Sequence, residues 1–254
     1  MIFIFKHRPI NLDLFTYRQM IFDAAKPKPA VQFLPSWWKE LKTSLPLPNS
    51  LFPTATMRRC MGFVDYYKHG FIQPLWSDFV CRTGKIGDPF YEAAFSDNTS
   101  HVSQHPELLR GTHMPDTHYC HIKMTNPWAA KCKEDVYWMW EQPTWGYNNP
   151  NMSVLLPGVI EYKYQYSMNV NIMFARTRER AEHKMFFQQP LVHMTPLSER
   201  PFKLHYHMVA REEFDRLMQG EKLSNIDRYR EYRRVRESEE LGESKCPVTG
   251  WMRK

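Results

Sequence analysis

Alternating apolar and polar positions dominate the second half of the chain and predict β-strands. From Gly158 to Tyr166 the apolar side chains at even positions share one face of an extended strand, while Glu161, Lys163 and Gln165 share the other. The same period of two, or a short apolar segment with strand-like composition, recurs at residues 71–82, 119–124, 136–140, 152–156, 168–174 and 202–208. This succession favours two packed antiparallel sheets, a β-sandwich or jelly roll, over a parallel α/β fold.

The N-terminal part of the chain mixes one strand with extended, proline-rich segments. Residues 2–5 are predicted as a first strand, and residues 26–29 cannot be helical because prolines alternate with lysines. Pro35 followed by Trp37 and Trp38 is typical of the start of a short amphipathic helix. Within residues 71–82, Pro74 is expected at a bulge or at an edge of the sheet, since it has no N–H to donate.

A second helix is predicted downstream of Thr56. Its apolar positions recur with a helical period, at Met57, Cys60, Met61, Val64 and Tyr67. Gly70 is suited to end this helix, because glycine tolerates the left-handed backbone of a helix terminus.

The last part of the chain is strongly charged. Residues 211–240 carry eight basic and nine acidic side chains around a thin apolar stripe, which predicts one or two exposed helices or an arm on a neighbouring subunit. The predicted organisation is therefore a single mainly β domain with short N-terminal helices over residues 1–210, followed by a charged helical tail over residues 211–254.

Composition limits the class of protein. With 254 residues, 43% of them hydrophobic, the chain can bury one large core. No window is apolar enough for a membrane span, and residues 1–5 are too short for a signal-peptide core, so we expect no membrane association and no secretion. Five cysteines without paired spacing favour reduced thiols in a cytoplasm over a disulfide framework.

The net charge of +7 is concentrated near the N-terminus. Residues 1–60 hold nine Lys or Arg against three Asp or Glu, whereas residues 61–210 hold fourteen of each. Such an excess could face nucleic acid through residues 6–59, face an acidic protein surface, or form an ordinary solvated surface.

The order of several short motifs resembles a family of hypothetical proteins encoded by tailed phages, notably those of marine cyanobacteria. These motifs are Pro29-Ala30-Val31-Gln32-Phe33-Leu34-Pro35-Ser36-Trp37-Trp38-Lys39, Arg59-Cys60, Phe71-Ile72-Gln73-Pro74-Leu75-Trp76-Ser77-Asp78, His105-Pro106-Glu107, Lys123-Met124-Thr125-Asn126-Pro127-Trp128 and the stretch from Asn169 to Phe174. The resemblance spans about residues 28–205. It implies a phage context and a jelly-roll-like body, and it carries over no catalytic residues.

One polar cluster has the composition of a metal site. His105, His113, Asp116, His118, Cys120 and His121 all fall between residues 105 and 121, and His205 and His207 alternate on a later strand. These are ligand types that zinc or non-haem iron uses. The spacing is less favourable, because His118 and His121 point to opposite faces of a strand and His205 and His207 lie on its more polar face.

Exposed tryptophans would suit a surface for a partner or a stacked ligand. Trp37, Trp38, Trp138 and Trp140 are the candidate contact residues, although tryptophans also anchor cores. Phosphate-binding glycine loops, nucleophile elbows and zinc-peptidase motifs are absent from the sequence.

These observations favour a non-enzymatic structural or interaction component of a tailed-phage particle, without a cofactor. We expect it in the virion or in the cytoplasm of the infected host, bound to other phage proteins or to itself. The alternatives are a metal-dependent, cupin-like oxygenase with iron or zinc held by His113, Asp116, His118, His121, His205 and His207, and a nucleic-acid-binding protein.

Overall fold

A computed structural model describes residues 8–48, 51–97, 100–107, 111–143, 153–219, 233–235 and 237–238. The strand predicted at residues 2–5 lies outside the described residues. The strands are β1 (Ile10–Thr16), β2 (Lys28–Pro29), β3 (Ser44–Leu45), β4 (Thr54–Ala55), β5 (Phe71–Pro74), β6 (Phe79–Thr83), β7 (Tyr91–Phe95), β8 (Val102–Gln104), β9 (Tyr119–Met124), β10 (Ala129–Cys132), β11 (Tyr137–Glu141), β12 (Ser153–Leu155), β13 (Gly158–Glu161), β14 (Val170–Ala175), β15 (Ala181–Met185), β16 (Pro190–Pro196) and β17 (Phe202–Met208).

The helices of the described chain are few and short. They are α1 (Gln19–Ala24), α2 (Ser36–Glu40), α3 (Met61–Lys68) and α4 (Arg211–Gln219), with 3₁₀ turns at Ala30–Phe33 and Met57–Arg59. The protein is mainly β, with several antiparallel sheets in a sandwich-like body, so the predicted fold class is confirmed. The finer assignment to a jelly roll stays a prediction.

The strands form five sheets. Their orders are β10-β1-β17, β13-β11-β16-β5-β2, β12-β14-β9-β8, β15-β6-β7 and the two-stranded β3-β4. Every pairing between these strands is antiparallel except one: β1 runs parallel to β17 over seven residue pairs, from Ile10 with Phe202 to Thr16 with Met208. This one parallel pair was not predicted, because alternation within a strand does not encode the direction of its neighbour.

The main core lies between the sheets and is rich in aromatic rings. Trp76, Trp128 and Trp138 are fully buried in it, together with the inward-facing Leu12 and Leu14 of β1. A smaller cluster lies on the opposite side of β5, where Ile72, Phe63 and Tyr67 pack together. Since Phe71 enters the main core and Ile72 the smaller cluster, β5 is covered on both faces.

The segment predicted as one strand over residues 71–82 is two strands. β5 ends at Pro74 and β6 begins at Phe79 in another sheet. Pro74 pairs with β16 alone, because β2 reaches only Phe71 and Ile72, so Pro74 lies at a locally unpaired edge of β5 as expected. The expected irregularity is present as well, because the register of β16 shifts between Pro190 and Val192 opposite Pro74.

The helix predicted downstream of Thr56 covers fewer residues in the structure than its apolar pattern indicates. A 3₁₀ turn covers Met57–Arg59 and the α-helix starts at Met61, whose side chain is exposed. Phe63 and Tyr67 form the buried face instead, since the helix docks through aromatic rings on β5. Gly70 has a φ of 94°, in the left-handed region, as expected for the residue that turns the chain into β5.

The strand predicted over residues 158–166 ends at Glu161. The tyrosines beyond it are buried as predicted, but they reach the core from a turn, in which Ala130 N–H donates to Tyr166 and Cys132 N–H to Tyr162. Glu161, expected on the polar face, is buried as well. Its carboxylate lies 3.6 Å from Arg233 of the C-terminal segment, so this tail residue contacts the body.

The start of the charged tail also contacts the body. Phe214 of α4 is buried against Ala129 and Tyr166. The centroid of the Phe214 ring lies 5.1 Å from that of the Tyr17 ring. Most of the other side chains of α4 are exposed, as predicted for a helix with a thin apolar stripe. Within the described residues, no helix is long and apolar enough to cross a membrane.

Candidate interaction surface

β3 and β4 form a small two-stranded hairpin. We call residues 41–56 the hairpin arm; residues 49–50 are outside the described chain. Ser44 pairs with Ala55 and Leu45 with Thr54, and the Thr56 N–H donates to the Thr43 carbonyl 3.1 Å away. Pro46, Pro48 and Pro53 restrict the backbone between the strands.

The hairpin arm carries several strongly exposed apolar side chains. Leu51 is 96% exposed and Phe52 is 77% exposed, and Leu45 and Leu47 are exposed beside them. Among the described residues, eight of the nineteen exposed large apolar side chains lie between positions 31 and 61: Val31, Trp37, Leu45, Leu47, Leu51, Phe52, Met57 and Met61. A concentration of this kind marks a contact surface more often than a solvated one.

The base of the arm is built from aromatic stacking. Trp38 stacks on Phe63 of α3 with ring centroids 5.4 Å apart, and Trp37 meets the same ring edge-on at 5.6 Å. Trp38 is half-buried, whereas 42% of Trp37 remains exposed. Of the four predicted contact tryptophans, these two therefore lie at the base of the exposed surface.

Arg58 fixes the arm to the end of α2. Its Nη1 donates to the carbonyl oxygens of Lys39 and Leu41, the latter at 3.1 Å, and the guanidinium lies 5.3 Å from the centre of the Trp38 ring. The last carbonyls of a helix have no intrahelical partner, so a cation placed there is stabilising. Arg58 thus orients the arm rather than presenting its charge to solvent.

The remaining charges around the arm are basic and exposed. Lys28, Lys39, Lys42 and Arg59 are exposed, and Glu40 is the one acidic residue between positions 28 and 59. The exposed apolar groups are therefore rimmed by positive charge.

Trp138 and Trp140 are not surface residues, and their assignment as contact candidates is corrected here. Both are buried, and Trp138 packs edge-on against Phe71 at 5.5 Å and against Phe202 at 6.1 Å. Trp138 and Trp140 are two positions apart on β11, so they share one face of the strand, and that face packs on the main core.

The candidate metal ligands near residue 118 do not converge. His113 and His118 are exposed, and Asp116 exchanges hydrogen bonds with Glu107, whose N–H donates to Asp116 Oδ2 at 3.0 Å. His121 is buried and lies 3.3 Å from Asn171, with its ring 5.0 Å from that of His105. The structure places His121 beside His105, which directly follows β8, and leaves His118 outside this pair.

The two histidines of β17 contact polar side chains of β1. His205 Nε2 lies 3.0 Å from Asn11 Oδ1 and His207 Nε2 lies 2.8 Å from Asp13 Oδ1. Both are on the outer face of the strand, as its polar alternation predicts. Within the described part of the chain, no three His, Cys, Asp or Glu side chains are arranged to hold a metal ion.

A fully buried imidazole with a shifted pKa lies outside the predicted candidates. His193 on β16 is fully buried, its Nε2–H donates to the His69 carbonyl at 2.9 Å, and the Tyr66 ring packs edge-on at 4.3 Å. Burial lowers the pKa of His193 to about 4 and raises the pKa of Glu141, whose Oε1 lies 3.7 Å from His193 Nδ1. The apolar residues on either side of His193 in the sequence are the signal that could have identified it as buried.

Comparison with known proteins adds no family assignment. A search of protein-family models finds no match to this chain, and no curated protein sequence matches it.

Proposed function

We propose that this protein is a non-enzymatic interaction component of a tailed-phage particle that binds a partner protein through the hairpin arm. The observation that supports a binding role is the exposure of Leu51 and Phe52 in a segment whose base is fixed by Arg58. Fixing the base in advance lowers the conformational entropy that the segment loses on binding, which favours affinity. The phage context rests on the sequence motifs described above.

The charge around the arm favours a partner different from the chain itself. Two copies that met arm to arm would bring Lys39, Lys42 and Arg59 of both against each other, and like charges at such an interface are repulsive. A partner with an apolar groove rimmed by carboxylates would bury Leu51 and Phe52 and neutralise this rim. The proposed occupant is therefore an acidic surface of another particle protein.

The first test is the protein content of purified particles. Mass spectrometry of particles from an infected culture of the encoding phage should find the chain at a fixed ratio to the major capsid protein. Strict absence from the particle at every stage of purification would overturn the proposal.

The second test separates the arm from the rest of the surface. Replacing Leu51 and Phe52 by serine should reduce incorporation into particles by about ten- to one hundredfold, because two large apolar contacts are lost. The matched control replaces Phe186 and Phe187, which are also exposed, by serine. Equal incorporation of both variants and the unmodified chain would show that the arm is not the binding surface.

Nucleic acid is the competing partner for the same basic surface. Affinity for phosphates falls steeply with salt, because each neutralised phosphate releases a counterion. We expect no binding of fluorescently labelled single- or double-stranded DNA at physiological salt. Tight DNA binding that is lost when Lys39 and Lys42 are replaced by glutamate would contradict the protein partner and indicate a nucleic-acid partner instead.

A further inference from the structure

Cys81 and Cys120 lie side by side in the main core, on strands that belong to different sheets. Cys81 is on β6 of the β15-β6-β7 sheet and Cys120 is on β9 of the β12-β14-β9-β8 sheet. Both side chains are fully buried in the same hydrophobic cluster, and interaction with the Cys120 side chain raises the pKa of Cys81. The pair is therefore a contact between sheets rather than between neighbouring strands.

The residues opposite each cysteine show that the two sheets are packed together at this point. His183 pairs with Cys81 on β15, and Phe174 pairs with Cys120 on β14. The His183 and Phe174 rings lie 4.9 Å apart, and Phe79 of β6 lies 6.3 Å from Phe174. Contacts between rings thus hold the sheets together beside the two thiols.

We propose that Cys81 and Cys120 form an oxidative modification site, at which a peroxide joins the two sheets by a disulfide. One sulfur, as a thiolate, attacks a peroxide oxygen and becomes a sulfenic acid while the O–O bond breaks and water leaves. The second sulfur then displaces the hydroxyl of the sulfenic acid as a second water, and the S–S bond forms. Overall, two thiols lose two electrons and two protons, and one hydrogen peroxide becomes two waters.

The surroundings of the pair make this reaction slow and selective. Hydrogen bonding to Cys120 and burial hold the pKa of Cys81 far above its ordinary value, so the closed core contains thiols rather than thiolates. Oxidation therefore requires a transient separation of the two sheets that admits the oxidant. Once formed, the disulfide would close a loop of about forty residues and restrict the unfolded chain.

Peptide mapping tests the site directly. The folded full-length protein is treated with hydrogen peroxide, remaining thiols are alkylated, and trypsin digestion is analysed without reduction. Cys81 falls in the peptide of residues 69–82 and Cys120 in that of residues 111–123, and each peptide holds one cysteine. We expect these two peptides to be joined, and to separate after reduction.

The physical consequence is a more stable fold in the oxidised state. The thermal midpoint should rise by roughly 5–10 °C on oxidation, as expected for a loop of this length. Cys120→Ser should abolish both the joined peptides and the rise. The control Cys132→Ser should retain both, because the Cys132 thiol donates to Glu134 in another part of the core.

Two results would overturn the proposal. One is recovery of both peptides in the alkylated form after prolonged treatment of the folded protein. The other is cross-linking only after denaturation, or of Cys81 to a different cysteine. Because the mapping uses the unmodified chain, neither result depends on whether a variant folds.

Discussion

Single residues account for several turns and anchors of this fold, and Gly70 is the sharpest case. Its φ of 94° disfavours any residue with a Cβ, and a Cβ added there would lie 2.3 Å from the Met194 carbonyl oxygen. Both effects oppose Gly70→Ala, which we expect to lower the free energy of unfolding by about 2–4 kcal/mol. Denaturant unfolding of the variant measures this loss.

Gly87 is the matched control for this change. It has a φ of 92°, but nothing lies within 4 Å of a Cβ built on it. Gly87→Ala should therefore cost only the backbone term, about 1 kcal/mol. Equal losses in the two variants would show that the contact with β16 does not constrain Gly70.

Arg176 is a buried cation that joins three parts of the chain. Its guanidinium donates to the carbonyl oxygens of Asp116 at 2.6 Å, Pro89 at 2.8 Å and Phe90. Arg176→Met leaves these acceptors without their donor, so we expect the free energy of unfolding to fall by about 3–5 kcal/mol. Urea unfolding followed by tryptophan fluorescence provides the measurement.

Arg82 makes a suitable comparison with Arg176, because it also has several partners. Its ion pairs with Glu92 and Glu182 are exposed, so Arg82→Met should change stability far less than Arg176→Met. A similar effect of both substitutions would mean that burial does not determine the importance of Arg176.

His193 should make stability depend on pH. Its pKa is about 4 in the folded protein and near 6.5 when exposed, so the unfolded chain binds more protons between these values. Stability is full above pH 6.5 and falls towards pH 4, by at most about 3 kcal/mol. His193→Gln should flatten this part of the profile, as measured by urea unfolding at a series of pH values.

The groups that face His193 do not change the direction in which stability depends on pH. Tyr66 and Tyr67 pack on the ring, and the His69 carbonyl accepts a hydrogen bond from its Nε2–H. Burial raises the pKa of Glu141, which acts in the opposite direction but is present in both proteins. A pH profile of His193→Gln identical to that of the unmodified chain would contradict the assignment.

At the scale of single elements, the hydrophobic pattern predicts the bounds of those strands and helices whose limits are set by neighbouring residues in the sequence. β9 and β17 begin and end where their alternation predicts, and α2 follows Pro35 as expected. β1 was missed although Ile10, Leu12, Leu14 and Thr16 alternate inward, so that signal was present in the sequence. The strand at residues 158–166 was predicted too long, because burial of tyrosines does not distinguish a strand from a turn that packs on the core.

Contacts between distant elements could not be predicted in the same way. The environment of His193 depends on β16 meeting α3, and that of Cys81 depends on two sheets meeting at Cys120. The candidate metal ligands were close in sequence, yet β9 directs His121 towards His105 and leaves His118 at the surface. Conversely, the sequence does not show that Leu51 and Phe52 are exposed, because exposure depends on which residues the folded chain covers.

At the scale of the whole molecule, β1 joins the first strand of the described chain to its last strand. It is hydrogen-bonded to β10 on one side and to β17 on the other, and its inward side chains are fully buried. Both neighbours of β1 are more than one hundred residues away in the sequence, so opening β1 disrupts long-range pairing and approaches global unfolding.

Hydrogen exchange measured by mass spectrometry should separate this sheet from the hairpin arm. Amides of β1 and β17 should exchange only through global unfolding, whereas those of β3 and β4, held by two residue pairs at an exposed site, should exchange orders of magnitude faster. Gly70→Ala should accelerate exchange in β1, because it lowers the free energy of global unfolding, and should leave the arm almost unchanged. If β1 instead exchanged as fast as the arm, the parallel pairing would not hold the two ends of the body together.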